Sequence, residues 1–529
     1  MTNGLYLNPG SGLFEESLAS PLYVDKTMLI SEVNKAVLSR DKYMCVSRPR
    51  RFGKSMALVM LAAYYSKGAD GKVFKGLKIS NSAGFHKHLG KFNVLMLDFN
   101  DFYDNCGDDK AGMFNSMFDA VSKEFAVQFP NVSFGGNSIA SLLKDAYSAT
   151  GEKFVVLIDE YDALIRRKAA DSLFERYLEF LNGLFKSLSV TQTIALAYMT
   201  GILPIVREKF QSKLNNFTEY TMLSPRNLLE FTGFTSREVE TICAERGIDM
   251  DECRRWYDGY HMGEAELYSP KSVCELALTG RFASYWAATG SFEAVSDFIS
   301  MDLDGISEDV NRLLSGESIC VEVTSYENRM DRLAFNSKDD VFTYCIHLGY
   351  LSYDQDSETV RIPNYEVRRQ WIDALKATGK YSKTIEIIKL SGMLLENVRK
   401  CRSELVAECL ESAHREVSSN LSYNNEQSLQ SAIMLAFIAA RDNYTVIPEL
   451  PSGNGFADVV FLPYRPQSDA PAIVVELKVD GTVDTGMEQI LKRKYPDSLK
   501  HYKDNMILVA ISYDRNTKKH AARVERLKN

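Results

Sequence analysis

Three consecutive residues, Gly53-Lys54-Ser55, offer a backbone that can approach an anion closely, an ammonium and a hydroxyl. They follow the apolar run Tyr43–Ser47 and open an apolar helical stretch. Backbone N–H groups and the positive end of a helix dipole therefore converge on them. That is the chemistry of a phosphate cradle. The Arg51-Phe52-Gly53 backbone wraps the anion, Lys54 reaches the β- and γ-phosphates, and the Ser55 hydroxyl ligates Mg²⁺. The full pattern G-x-x-x-x-G-K-[ST] asks for glycine at position 48, where this chain has Arg48. A second apolar run, FVVLIDEYDALI, carries Asp159 and Glu160 at its end. Carboxylates at the C-terminal edge of a parallel sheet stand where open α/β folds bind ligands. Asp159 is expected to hold Mg²⁺ and Glu160 to polarise an attacking water. The plain alternative is a strand-ending turn with solvated acids. A further run, TIALAYMTG, ends in Thr200, placed to sense a γ-phosphate, with Arg207 or Lys209 beyond it as a charge-stabilising finger.

A second constellation lies near the other end. Gly455-Phe456-Ala457-Asp458 opens one strand, and Glu476-x-Lys478 sits in the next long one, IVVELKV. Residues i and i+2 of a strand share a side, so Glu476 and Lys478 face one way, and Asp458 joins them if the strands pair. Two carboxylates and the Leu477 carbonyl make a hard, oxygen-rich site for Mg²⁺ or Mn²⁺. Lys478 can then orient or deprotonate a water and stabilise charge developing on phosphorus. Glu426, on the preceding helix, is placed to complete the metal shell. Gln489 and Tyr495, beside Lys492-Arg493-Lys494, are candidates for contact with a nucleic-acid backbone; solvated lysines at a helix end explain them equally well.

The elements that must position these residues are legible from pattern changes. From Asp41 to about Leu223, buried-type runs at Tyr43–Ser47, Val94–Phe99, Phe154–Asp159, Thr193–Met199 and Tyr220–Leu223 alternate with helical patterns. That alternation predicts an α/β domain with a parallel sheet covered by helices. Residues 224–400 read as mostly helical. Inside them a helix, two strands around a polar turn at Asp354–Glu358 and another helix make either a winged-helix element or a helix–hairpin–helix without a nucleic-acid role. After about Glu404 the order becomes αβββαβ: helix Glu426–Arg441, runs Tyr444–Leu450, Ala457–Leu462 and Ile473–Leu477, helix Thr485–Lys494 and strand Met506–Ile511. The expected division is thus 1–223, 224–400 and 401–529.

At 529 residues the chain is longer than one core usually organises. Its 45% hydrophobic and 25% charged residues are ordinary for a globular protein. No apolar stretch approaches the roughly eighteen residues of a membrane span, and the first residues lack the basic-then-apolar form of a secretion signal. A cytoplasmic location is expected. The nine cysteines form no C-x-x-C pair, which argues against a zinc knuckle or a disulfide framework. The net charge of -8 counts against a large nucleic-acid surface. From Ile490 to Asn529, however, eleven Lys/Arg face four Asp/Glu. That run reads either as a solvated helix face with a frayed tail or as a phosphate-contacting stretch.

The motifs YVDKT (Tyr23–Thr27), RPRRFGKS, VVLIDEYDALI, YMTGI, WYDGY, YSPKSV, GYLS, IPN, GFADVVF, VVELKV and QILKRKY follow one another over nearly the whole chain. In this the chain resembles a family of bacterial proteins that fuse an AAA-ATPase-like domain to a PD-(D/E)XK nuclease domain. The resemblance implies a P-loop NTPase fold at the N-terminal end, a helical lid in the middle and a restriction-endonuclease-like fold at the C-terminal end. It implies ATP and Mg²⁺ at Gly53, Lys54, Ser55, Asp159 and Glu160, and a metal at Asp458 and Glu476 with Lys478 alongside. Arg48 looks like the family's own P-loop variant, whereas Phe456 stands where the family often has arginine. Two functions are carried forward. One is an ATPase whose nucleotide state regulates a Mg²⁺-dependent nuclease acting on DNA or RNA. The other is a non-cleaving ATP-dependent switch whose nuclease-like domain only binds a partner. No membrane partner is expected, and self-association stays open.

Overall fold

Four of the apolar runs of the N-terminal part become strands of a parallel sheet, and the fifth strand lies at Thr218–Tyr220, mostly ahead of the expected Tyr220–Leu223 run. They are β1 (Tyr43–Ser47), β2 (Asn93–Asp98), β3 (Phe154–Asp159), β4 (Ile194–Gly201) and β5 (Thr218–Tyr220). The sheet order is β2-β3-β4-β1-β5, every neighbouring pair parallel. β1, β3 and β4 are buried at every position, which is why their sequences show no polar alternation. The computed structural model describes residues 4–205, 215–263, 265–286, 301, 303, 305–323, 335–378, 381–417, 426–452, 455–464, 469–492, 499, 502 and 504–527. Two compact units result, Met1–Thr289 with Cys320–Val367, and Gly290–Ile319 with Arg368–Asn529.

Within the first unit, β1 runs through the glycine-containing loop into α1 (Lys54–Tyr65), and β2 runs into α2 (Phe99–Asn105). Beyond the sheet, β6 (Phe234–Thr235), β7 (Tyr260–Met262) and β8 (Ala265–Tyr268) form a small antiparallel sheet ahead of α3 (Pro270–Thr279). The helical reading of this region missed these strands because runs of two to four residues are too short for a periodic signal. The later pattern is formed as read: α4 (Lys338–Leu348), the hairpin β9 (Ser352–Asp354) and β10 (Thr359–Arg361), and α5 (Tyr365–Thr378).

α4 carries His347, fully buried with neither ring nitrogen partnered. Burial, helped by the nearby Arg48 charge, pushes its pKa down to about 3. The folded protein therefore holds His347 neutral, while the unfolded chain protonates it near pH 6.5. The unfolded state binds the extra proton, so this group's contribution to stability falls as pH drops below 6.5. Between pH 7 and 5.5 the wild type should lose about 1 kcal/mol relative to a His347→Leu variant, which has nothing to titrate. Parallel denaturation curves of the two proteins across that window would refute the assignment.

The second unit builds α6 (Ser382–Arg399), α7 (Ser403–Val417) and α8 (Glu426–Ala436) ahead of a five-stranded mixed sheet. Its strands are β11 (Tyr444–Ser452), β12 (Gly455–Pro463), β13 (Ala472–Val479), β14 (Met506–Asp514) and β15 (Lys519–Arg526), paired in that order. Only β13 and β14 run parallel, with α9 (Val483–Lys492) in the crossover between them. One sheet face packs Val459, Val475, Leu477 and Val509 against Leu394, Leu410 and Leu429. This core thus draws on residues well before the pattern change near Glu404. The other face packs Val460, Val474 and Ala510 against Met487 and Ile490 of α9.

β15 corrects the frayed-tail part of the reading of the basic run, whose first lysine, Lys492, does stand exposed at the end of α9. It pairs with β14 from Asp514↔Lys519 to Ile507↔Arg526. His520 and Val524 are buried and Ala522 packs beside them against the core, while Lys519 and Arg523 occupy the opposite face. Such a strand has no hydrophobic run to announce it. Among the described residues no helix is long and apolar enough to cross a membrane.

Candidate functional site

The loop between β1 and α1 is shaped by Gly53, which takes a left-handed conformation (φ 86°) open to glycine without strain. Lys54 begins α1 buried, its ammonium donating to the carbonyls of Arg48 and Pro49 at 3.0 Å each. Burial pulls its pKa down, opposed by the charges of Glu160 and Asp159. Ser55 is exposed at the mouth of the helix. The buried Phe52 ring meets Tyr260 edge-on with centroids 5.2 Å apart, and its carbonyl accepts from Gly233 N–H at 2.9 Å. Arg51, also at positive φ, donates to the Tyr285 carbonyl at 3.3 Å.

Arg48 does not stand in for the missing glycine. Its fully buried guanidinium turns into the core, donating to Thr232 at 2.9 Å and to the carbonyls of Ser47 and Tyr220 at 2.8 Å. Burial pushes its pKa down to about 10, still a cation at neutral pH. The residue that breaks the phosphate-loop pattern is thus a strut joining β1, β5 and the segment before β6.

The acids arrive from neighbouring strand ends. β2 and β3 register Asp98 against Asp159. Asp159 accepts from its neighbour's backbone, Glu160 N–H, at 3.0 Å and from the Thr200 hydroxyl. Thr200 is fully buried, so its hydroxyl is spent on Asp159 instead of meeting a γ-phosphate as expected. Arg207 and Lys209 lie outside the described residues. Glu160 adopts φ 49° and its carboxylate is paired with Arg166. Burial raises its pKa, and Arg166 opposes the rise.

These groups open onto one cavity of about 730 Å³. Lys54, Ser55, Asp98, Asp159 and Glu160 are in its lining, together with the aromatic rings of Tyr23, Phe231 and Phe234. Four participants escaped the sequence reading. Asp98 caps α2, accepting from Asn100 and Asp101 N–H, and burial raises its pKa with Asp159 adding to the effect. Asp162 and Arg166 form a buried i,i+4 pair at 3.0 Å, a spacing visible in DEYDALIR. Glu366 on α5 accepts from Tyr285 and Trp286 N–H at 2.5 and 2.7 Å, fixing the segment whose Tyr285 carbonyl holds Arg51. No local pattern marks Glu366.

In the second unit, β12 and β13 pair with Val459 opposite Val475. The pairing ends there, and Asp458 and Glu476 are the next residue on each strand. Asp458 accepts from Leu477 N–H at 2.6 Å, and its own carbonyl accepts from Gln430 of α8 at 2.7 Å. Glu476 is fully buried, 3.2 Å from the Lys478 ammonium. Gly486 of α9 presses on this pair. A Cβ there would lie 3.1 Å from Ala510 Cβ, 3.7 Å from Lys478 Cγ and 3.9 Å from Glu476 Cγ. Its place in the helix is one of close approach, which the sequence did not disclose. Glu426 opens α8, but its side chain lies outside the described residues, as do Arg493, Lys494 and Tyr495; Gln489 is half-buried on α9. Among the described residues no group of three or more His, Cys, Asp or Glu is arranged to hold a metal ion. Two carboxylates carried just beyond the end of a strand pairing still suit a hard cation, since Mg²⁺ takes one or two protein carboxylates and completes its shell with water.

A parallel sheet with a phosphate-type loop, followed by a mixed sheet carrying Asp458, Glu476 and Lys478, agrees with what family comparison finds. Residues 15–210 match the family described as predicted AAA-ATPase, and residues 424–522 match the PD-(D/E)XK nuclease superfamily. The chain joins an AAA-ATPase-like domain to a PD-(D/E)XK superfamily domain. Among individual proteins it is similar to an uncharacterized protein in the vnfD 5′ region of Azotobacter chroococcum mcd 1, 27% identical over 287 residues. That match takes in 53% of this chain, which spans about half (52%) of the length of that curated relative. Solved structures with some likeness include the ORC2 protein of Aeropyrum pernix in ADPNP–ADP complexes, with TM-score 0.29, 10% identity, and coverage of 68% of this chain and 97% of that one. Cdc6p from Pyrobaculum aerophilum gives TM-score 0.25, 10% identity, and coverage of 68% and 98%.

Proposed function

We propose that the chain binds and hydrolyses ATP with Mg²⁺ in its N-terminal domain, and that nucleotide state regulates Mg²⁺- or Mn²⁺-dependent cleavage of DNA or RNA by its C-terminal domain. The ATPase half is carried by the meeting of Lys54, Ser55, Asp159 and Glu160 in one cavity at the N-terminus of α1. In this reading Gly53 and its neighbours Arg51 and Phe52 present the loop backbone to the phosphates. Ser55 and Asp159 hold Mg²⁺, Thr200 orients Asp159 through its hydroxyl, and Glu160 takes a proton from water. Bound Mg²⁺ supplies neutralisation of charge developing on the phosphates. The nuclease half rests on buried Glu476 with the Lys478 ammonium at 3.2 Å, and on Asp458 bonded to the intervening Leu477 N–H. Asp458, Glu476 and the Leu477 carbonyl hold the cation there, with Glu426 as a further ligand, and Lys478 acts on water or developing charge. The functional division follows residues 1–223, 224–400 and 401–529.

The net charge of -8 favours a second reading, in which the C-terminal domain binds a partner without cutting it. One experiment separates the two. The full chain is incubated with single- and double-stranded DNA and RNA, with Mg²⁺ or Mn²⁺, and with ATP, ADP or neither. The regulated-nuclease reading expects cleavage that changes at least about tenfold with nucleotide, the effect of roughly 1.4 kcal/mol of coupling. Cleavage identical in all nucleotide states removes the regulation. Binding without cleavage in every metal establishes the switch.

A further inference from the structure

Arg166 lines the cavity between two carboxylates of unequal freedom. Its Nε donates to Asp162 at 3.0 Å. Asp162 is fully buried and itself held by Ile202 and Leu203 N–H at 3.1 and 2.9 Å, just past the end of β4. That contact is anchored in the core. The outer nitrogen, Nη2, is bonded to Glu160, whose side chain keeps 22% exposure against 9% for Arg166. Glu160 holds this pose at φ 49°, a conformation disfavoured for a residue with a Cβ and kept only where surroundings impose it. The next residue, Arg167, is turned elsewhere, donating to Asn100 at 2.9 Å and Asp104 at 2.8 Å.

We propose that Arg166 is a catalytic residue for ATP hydrolysis, held by Glu160 until nucleotide arrives and then turning its Nη groups onto the transferred phosphoryl while Asp162 keeps its Nε in place. This rests on reading the cavity as an ATPase site. Phosphoryl oxygens compete for the guanidinium because its planar fork fits them as well as it fits a carboxylate. The exchange makes Glu160 available at the moment water must be activated. The hydrolysis balances: the water oxygen forms a bond to the γ-phosphorus, and one of its protons passes to the Glu160 carboxylate. The bond from phosphorus to the β–γ bridging oxygen breaks, its electron pair leaving with ADP. Arg166 stabilises the charge spread over the phosphoryl oxygens, a role in which arginine contributes about 10³- to 10⁵-fold to turnover. It would do so from within the same chain.

The test uses the full-length protein with Arg166→Ala and Arg166→Lys, read by ATP turnover, by ADP calorimetry and by trapping of Mg²⁺–ADP with aluminium fluoride, a mimic of the transferring phosphoryl. Both variants should lose at least about 10³-fold in kcat, hold ADP within about threefold of wild type and fail to trap aluminium fluoride. Arg166→Lys keeps a cation beside Asp162, which guards against a folding defect, yet cannot hold Asp162 and reach the phosphoryl together. Millimolar guanidinium should restore part of the turnover of Arg166→Ala. Unchanged or faster turnover in either variant, or ADP affinity lost in step with turnover, overturns the proposal. A wild type that binds ATP without hydrolysing it overturns it too. A wild type that does not bind ATP at all instead overturns the ATPase reading beneath it.

Discussion

Calorimetric titration of a Lys54→Ala variant with ATP should show affinity lowered at least about 100-fold, a loss of roughly 2.7 kcal/mol. Lys54 is buried at the head of α1, and its ammonium lies within the field of Asp159 and Glu160. Removing it leaves those carboxylates and the incoming phosphates uncompensated in a cavity partly shielded from water. Glu160→Gln should behave differently. It keeps the ammonium and removes only the carboxylate that takes the proton, so ATP binds within a few-fold of wild type while hydrolysis falls about 10²- to 10⁴-fold. Undiminished ATP affinity in Lys54→Ala would end the assignment of this loop to phosphate.

The second large effect is expected in the other unit. Lys478→Ala should lower nucleic-acid cleavage at least about 10³-fold while leaving Mn²⁺ bound, because lysine stabilises developing charge without ligating the metal. Asp458→Ala should lose metal and cleavage together, since it removes one of the two carboxylates of the proposed site and also the acceptor of Leu477 N–H. Titration calorimetry with Mn²⁺ beside a cleavage assay checks both. Cleavage that survives both substitutions would leave the nuclease assignment resting on fold likeness, which is not evidence of function.

Much of this architecture is readable along the chain because its signals are local. β1 and β3 run over the residues their apolar stretches predict, Tyr43–Ser47 and Phe154–Asp159. α4, the hairpin and α5 follow the helix, strand, turn, strand, helix order read around Asp354–Glu358. The elements that escaped carry little local signal. β6 to β8 are too short to show a period, and β15 sets its inward residues, His520, Ala522 and Val524, among lysines and arginines. In the C-terminal site, alternation alone sets Glu476 and Lys478 on one face. Whether Asp458 joins them depends on the pairing of β12 with β13, which no local pattern states.

The sequence by itself determined which side chains are available for chemistry and the strand ends and helix starts that carry them. Hydrophobic periodicity and the Gly-Lys-Ser and Glu-x-Lys spacings are properties of neighbours in the chain. Tertiary structure alone decided what each charge is spent on. Arg48 reads only as a departure from the phosphate-loop pattern and becomes a buried strut because Thr232 and Tyr220, distant in sequence, offer it acceptors. Thr200 reads as a phosphate sensor and donates to Asp159, because β3 and β4 lie side by side. Gly486 leaves room for Glu476 and Lys478 only because α9 crosses over β13. A buried polar group needs a partner wherever the fold places one, and the partner is set by packing among segments far apart in the chain, which local spacing does not encode.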